Sequence, residues 1–135
     1  MAEEVVLLQK LMHSKYSAFR DFHRQRDEQR QRRLEERRHE VLAAVRGAVS
    51  RLAREEPAIE KVGIFGSLMR PGRFRRHSDI DVVVLCGDLE AEGRFWRALE
   101  TVLKRNVDVR PWNGSAVQGV EAYGEVIYER AISAP

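Results

Sequence analysis

Asp79 and Asp81 stand two residues apart where the loop meets the apolar run Ile80-Asp81-Val82-Val83-Val84. Side chains alternate along a strand, so the two carboxylates are predicted to project from one side, close together. Such a pair repels itself and is costly to bury ionised, so the pattern calls for a cation between the two groups. Oxygen ligands of this kind suit Mg²⁺ or Mn²⁺, and Mg²⁺ is commonly held by one or two carboxylates together with substrate phosphates. Upstream, Val62-Gly63-Ile64-Phe65 is a second apolar run and ends in the turn Gly66-Ser67. The loop from Leu68 to His77 carries Arg70, Arg73, Arg75 and Arg76 and no acidic residue. That composition suits a polyanionic substrate, because guanidinium forks match phosphate oxygens.

The elements that must position these groups can be read around them. Both apolar runs read as neighbouring strands, Ile59 to Phe65 and Ser78 to Val84, and Gly66, Pro71 and Gly72 break regular structure between them. Residues 3–55 contain no proline and only Gly47 among glycines, so they read as helix almost throughout. One apolar stripe runs through Leu8, Leu11, Met12, Phe19 and Phe22, and a second through Leu34, Val41, Leu42, Val45, Val49 and Leu52. The charged stretch His23 to Arg33 separates them, which predicts either one long helix or two with a break there. The second stripe is expected to pack on the sheet, and the first to need a partner surface, another copy of this chain or a different protein. This divides the chain into an N-terminal helical arm, 1–33, and a domain, 34–135.

After the second strand, Glu90 to Lys104 reads as an amphipathic helix burying Phe95, Trp96, Leu99, Val102 and Leu103. Asn106 to Pro111 is a short strand with Asp108 and Arg110 on one face and Val107 and Val109 on the other. A helix capped by Asn113 or Ser115 follows to about Tyr123, then a last strand, Glu125 to Glu129. The fold class is α/β (α+β), a small mixed sheet of about four strands preceded by a long helix.

Composition bounds the function from outside. Residues 1–56 hold thirteen of the 24 Lys/Arg and ten of the 21 Asp/Glu, so the net charge of +3 belongs to the N-terminal part. So small a charge gives no argument for direct nucleic-acid binding. A single cysteine, Cys86, precludes an internal disulfide and points to a reducing cytoplasm. No apolar run reaches membrane-spanning length, and Met1-Ala2-Glu3-Glu4 lacks the basic start of a signal peptide, so no membrane role is expected.

Gly66-Ser67, Arg70 and Ser78-Asp79-Ile80-Asp81 together resemble the signature of the polymerase-beta-like nucleotidyltransferase superfamily. More narrowly they resemble its minimal members, the antitoxin partners of HEPN-domain toxins. The likeness covers roughly residues 60–130; Pro71 stands between Arg70 and Gly72, where the minimal members usually have Arg-Gly directly. The resemblance implies that Gly66, Ser67 and Arg70 hold a triphosphate, and that Asp79 and Asp81 bind two metal ions, Mg²⁺ or Mn²⁺. It also implies a third carboxylate on the strand after the amphipathic helix, and Asp108 is the position that fits. The implied reaction moves a nucleoside monophosphate, AMP from ATP, to a hydroxyl of a cognate HEPN toxin. A different class of function is a binding module that keeps the fold and neutralises a partner through its N-terminal helix. A metal-dependent nuclease built on the same carboxylates would leave the Gly-Ser turn without a role.

Overall fold

The computed structural model describes residues 2–131. The chain runs α1 (Ala2–Arg54), β1 (Ile59–Phe65), a single 3-10 turn (Ser67–Met69), β2 (Ile80–Cys86), α2 (Leu89–Leu103), β3 (Val107–Pro111), α3 (Gly114–Tyr123) and β4 (Glu125–Glu129). It divides into two units, one ending at Leu34 and the other starting at Glu35.

The first unit is helix alone. Of the two alternatives, one helix or two, the unbroken one is found: α1 continues through the charged stretch without interruption. Glu28 and Arg32 lie 3.9 Å apart one turn along it, both exposed. Such a pair contributes only a few tenths of a kcal/mol, so the absence of helix breakers carries more of the outcome. Every residue from 2 to 33 is exposed, including Leu8, Met12, Phe19 and Phe22.

In the second unit four strands form one sheet in the order β3-β2-β1-β4. β1 pairs antiparallel with both β2 and β4, and β2 pairs parallel with β3. A parallel pair cannot be joined by a hairpin, and α2 is the crossover that joins this one. The one-sided alternation of each strand decides the layers. Ile80, Val82 and Val84 of β2 and Val107 and Val109 of β3 share a core with Leu42, Val45, Val49 and Leu52 of α1 and with Phe95 and Leu99 of α2. Each fully buried side chain of this kind contributes roughly 1.5–3 kcal/mol relative to exposure. A smaller cluster of Phe65, Val83, Ala116 and Val120, with Trp112 against it, brings α3 to the sheet. α3 and β1 pack closely at two glycines: a Cβ at Gly63 would stand 3.1 Å from Val120, and one at Gly119 2.9 Å from Phe65.

Three expectations need correction. β2 begins at Ile80, so Asp79 lies in the loop before the strand and is exposed. The cause is a turn over residues 75–78: the Ser78 amide donates to the Arg75 carbonyl at 3.0 Å, and the Arg75 amide donates to Ser78 Oγ at 2.9 Å. Trp96 is 38% exposed, not core. Its indole N–H donates to the Val107 carbonyl at 2.6 Å, a partner it finds at the sheet margin. Val102 is likewise exposed.

Candidate active site

The antiparallel register sets Phe65 opposite Asp81, so the chain leaves β1 beside that carboxylate. It leaves through Gly66, whose φ of 77° is a backbone state that residues with a side chain rarely adopt. A Cβ at position 66 would also fall onto the Asp81 carboxylate. The Gly-Ser turn therefore closes directly over Asp81, and glycine is the residue that permits it. Gly66→Ala is expected to destabilise the fold by roughly 1–3 kcal/mol through backbone strain alone, with displacement of Asp81 added to it. Equilibrium denaturation checks this, and a variant as stable as the parent chain contradicts it.

The parallel register sets Asp108 beside Asp81, so the two side chains lie on one face of adjacent strands. It is the face away from the α1 and α2 core, since Val107 and Val109 take the other side. Burial pushes the Asp81 carboxyl above the ordinary carboxylate range. Asp108 and Asp79 push it further in the same direction, and Arg110 opposes them. Asp108 is held by Arg110, whose Nε donates to Asp108 Oδ2 at 3.0 Å. Asp81 and Asp108 are thus brought together, with Asp79 near enough to act on Asp81 through its charge.

Among the described residues no three His, Cys, Asp or Glu side chains converge closely enough to make a ready coordination shell. The donor set nevertheless suits a hard divalent cation: carboxylate oxygens side by side, one of them resisting ionisation because of burial first and its carboxylate neighbours second. Such an ion would relieve the repulsion that raises Asp81, and Arg110 is the competing cation that must release Asp108.

The 3-10 turn that begins at Ser67 is fastened from beneath by a group that the sequence pattern did not single out. Arg38 of α1 is 6% exposed, and its Nη1 donates to the Leu68 carbonyl at 3.0 Å. Its Nε donates to Glu35 Oε2 at 3.0 Å, while Glu35 Oε1 accepts from the Gly72 amide at 2.7 Å. Two α1 side chains therefore pin both ends of the segment 68–72. That amide, followed by the Arg38 guanidinium, holds the Glu35 carboxyl below the usual carboxylate range. In the sequence, Glu35 and Arg38 look like any other charged pair on that helix.

The remaining candidates divide. Arg70 is exposed, with its guanidinium over the Tyr123 ring at 4.8 Å, so it sits next to the end of α3. Ser67 is half-buried at the start of the turn. Arg75 spends its side chain on the Gly72 carbonyl at 2.7 Å and so braces the loop. Glu125 accepts two hydrogen bonds from Arg46 at 2.7 and 2.9 Å, which ties β4 to α1.

No curated protein matches this chain. Solved structures do. A chain from a toxin–antitoxin complex crystallised with AMP-PNP is similar at 25% identity and a TM-score of 0.52, over 63% of this chain and 73% of that one. A chain from the complex of the tri-AMPylated Shewanella oneidensis HEPN toxin with its MNT antitoxin is similar at 22% identity and a TM-score of 0.47, over 64% and 71%. Residues 48–132, more than half of the sequence, match the family described as "Polymerase beta, Nucleotidyltransferase". With this match spanning the Gly-Ser turn, both carboxylate strands and the mixed sheet that joins them, the chain belongs to the polymerase beta nucleotidyltransferase family.

Proposed function

We propose that this protein transfers AMP from ATP to a hydroxyl of a partner protein, and that it does so as the antitoxin of a HEPN-type toxin. The observation that carries the reading is the Gly66 turn closed over Asp81, with Asp108 beside it in register. The neighbour crystallised with AMP-PNP is itself a toxin–antitoxin complex, which supports both the nucleotide and the kind of partner.

In this reading Gly66 lets the backbone approach the triphosphate, and Ser67 and Arg70 donate to its oxygens. Asp79, Asp81 and Asp108 would hold two Mg²⁺ or Mn²⁺ ions, which neutralise the phosphates and lower the pKa of the attacking hydroxyl when bound. The acceptor oxygen forms a bond to the α-phosphorus, the bond from that phosphorus to the bridging oxygen breaks, and pyrophosphate leaves with the electron pair. Asp108, freed from Arg110, takes the acceptor proton.

The test is transfer of label from α-³²P-ATP to a co-expressed HEPN-type partner, with pyrophosphate release measured in parallel. Label on the partner that disappears without divalent metal and in Asp81→Asn supports the reading. Pyrophosphate release or labelling that persists in both Asp79→Asn and Asp81→Asn sinks it.

A second reading has its own observation, the exposure of Leu8, Met12, Phe19 and Phe22 along the first unit. Residues 1–33 would then serve as an arm that grips the partner or a second copy of this chain, with 34–135 as the domain and chemistry secondary. Deleting the arm would abolish partner binding, while the aspartate substitutions would leave neutralisation intact.

A further inference from the structure

A second concave site lies at the margin of the carboxylates. A cleft of about 540 Å³ opens between α1, the Arg-rich loop and the end of α2, and is lined by Arg37, Arg76, His77, Asp79, Lys104 and Arg105, among others. Its volume is in the range of small-ligand sites. Four of these side chains are permanent cations, and Asp79 is the only carboxylate in the lining. They come from three different elements, so they converge by folding and not by sequence.

Among the described residues none of the four makes an ion pair, although Arg32, Arg38, Arg46, Lys61, Arg94 and Arg110 all do. Arg105 is fixed in place: its Nη2 donates to the Arg75 and Arg76 carbonyls, and its guanidinium lies 4.7 Å over the Phe74 ring. Burial, with Arg37 adding to it, depresses the Arg105 pKa. A concentration of unneutralised positive charge in a concavity costs free energy until an anion enters.

The lining also limits what kind of anion. Among the described residues no Phe, Tyr or Trp lines the cleft; Phe74 is buried beneath Arg105, and the His77 imidazole is the single ring in the lining. One small ring does not make a platform for successive unpaired bases, which disfavours single-stranded nucleic acid. Guanidinium and ammonium donors converging from several sides fit closely spaced phosphate oxygens instead.

We propose that this cleft is a binding site for a small oligophosphate, occupied without divalent metal and through Arg37, Arg76 and Lys104, with Arg105 as the fixed floor. The cleft shares Asp79 with the proposed nucleotide site, but its four cations are not among that site's residues, and binding here does not rest on that site's activity.

The test is calorimetric titration of the full chain with inorganic tripolyphosphate in EDTA at physiological ionic strength. Saturable binding is expected, weakened at least tenfold in Arg37→Gln/Arg76→Gln and unchanged in Asp81→Asn. A control, Arg51→Gln/Arg54→Gln, removes the same charge from exposed α1 positions outside the cleft and is expected to bind within twofold of the parent. All four arginines of these variants are exposed, so the folds should be preserved, and a thermal melt verifies that. Absence of binding by the parent chain, or equal loss in the two double variants, overturns the proposal. Binding of an oligouridylate without binding of tripolyphosphate overturns it as well, by replacing the ligand class. Because EDTA removes any divalent ion, failure of the nucleotidyl-transfer reading leaves this outcome untouched, and the reverse holds.

Discussion

Asp81→Asn is expected to abolish turnover and to stabilise the protein in the same experiment. The catalytic loss should be on the order of 10³-fold, about 4 kcal/mol of barrier, because the substitution removes the carboxylate on which the Gly66 turn and Asp108 converge. The stability gain follows from the same geometry. Burial and the neighbouring Asp108 push the Asp81 carboxyl above its ordinary range. A carboxyl with a raised folded-state pKa binds its proton better in the native chain than in the unfolded one. Folding is then favoured below the ordinary carboxylate pKa and weakened as pH rises past it, so at neutral pH the ionised Asp81 destabilises the fold. Asparagine is nearly isosteric and carries no charge. A gain on the order of 1 kcal/mol, or about 4–8 °C in Tm, is expected at pH 7 and should vanish at acidic pH. A lower Tm in the variant at neutral pH, or wild-type turnover, contradicts this account of the site.

The largest loss of stability is expected at a residue that touches no substrate. Arg38→Ala removes a buried guanidinium that bonds the Leu68 carbonyl and Glu35 together; it leaves the carbonyl without that donor and Glu35 with the Gly72 amide alone. Breaking one side of a buried pair typically costs 3–5 kcal/mol. Because Glu35 is one-third exposed and solvent can reach it, about 3 kcal/mol is the expected value here, near 15 °C in Tm. The loss should also be local: amide exchange at Gly72, whose N–H bonds Glu35, should accelerate more than exchange in the β1 and β2 core. The same staple has a pH signature. Glu35 has a depressed pKa, so its contribution is present above the ordinary carboxylate value and is lost as pH falls through the lower folded value. Glu35→Gln should flatten that acid limb. An Arg38→Ala chain with parent-like Tm and unchanged Gly72 exchange would show that the segment 68–72 holds itself.

These two residues also mark what could be read from the chain. Asp81 was legible because a carboxylate inside a β-branched run breaks the strand pattern; alternation with Val107 and Val109 gave the face of Asp108, and its choice as a site carboxylate came from the family resemblance. The strands, the crossover helix α2 and the last helix were legible from apolar spacing that changes period, at Gly87, Pro111 and Gly124 and, between α2 and β3, at the polar run Lys104-Arg105-Asn106. α1 was legible from the absence of breakers, although periodicity could not tell one helix from two. Asp79 was misplaced by one position of strand, because the Ser78 hydroxyl that bonds the Arg75 amide is a local competition that no hydrophobic pattern reports. Trp96 was assigned to the core by its spacing, whereas its indole N–H requires an acceptor and found it at the margin. Arg38 and Glu35 were invisible for a different reason. Their partners, the Leu68 carbonyl and the Gly72 amide, are backbone groups thirty or more residues away, and nothing in a side-chain pattern points to a backbone group.

The central claim is a nucleotide site built on Asp79 and Asp81 beside the Gly66 turn. Calorimetric titration of the full chain with ATP, with and without Mg²⁺, tests it most directly, using Asp79→Asn/Asp81→Asn as the comparison. The predicted result is a saturable component that appears only when Mg²⁺ is present and disappears in the double variant. No Mg²⁺-dependent component in the parent chain, or one that survives both substitutions, would contradict it.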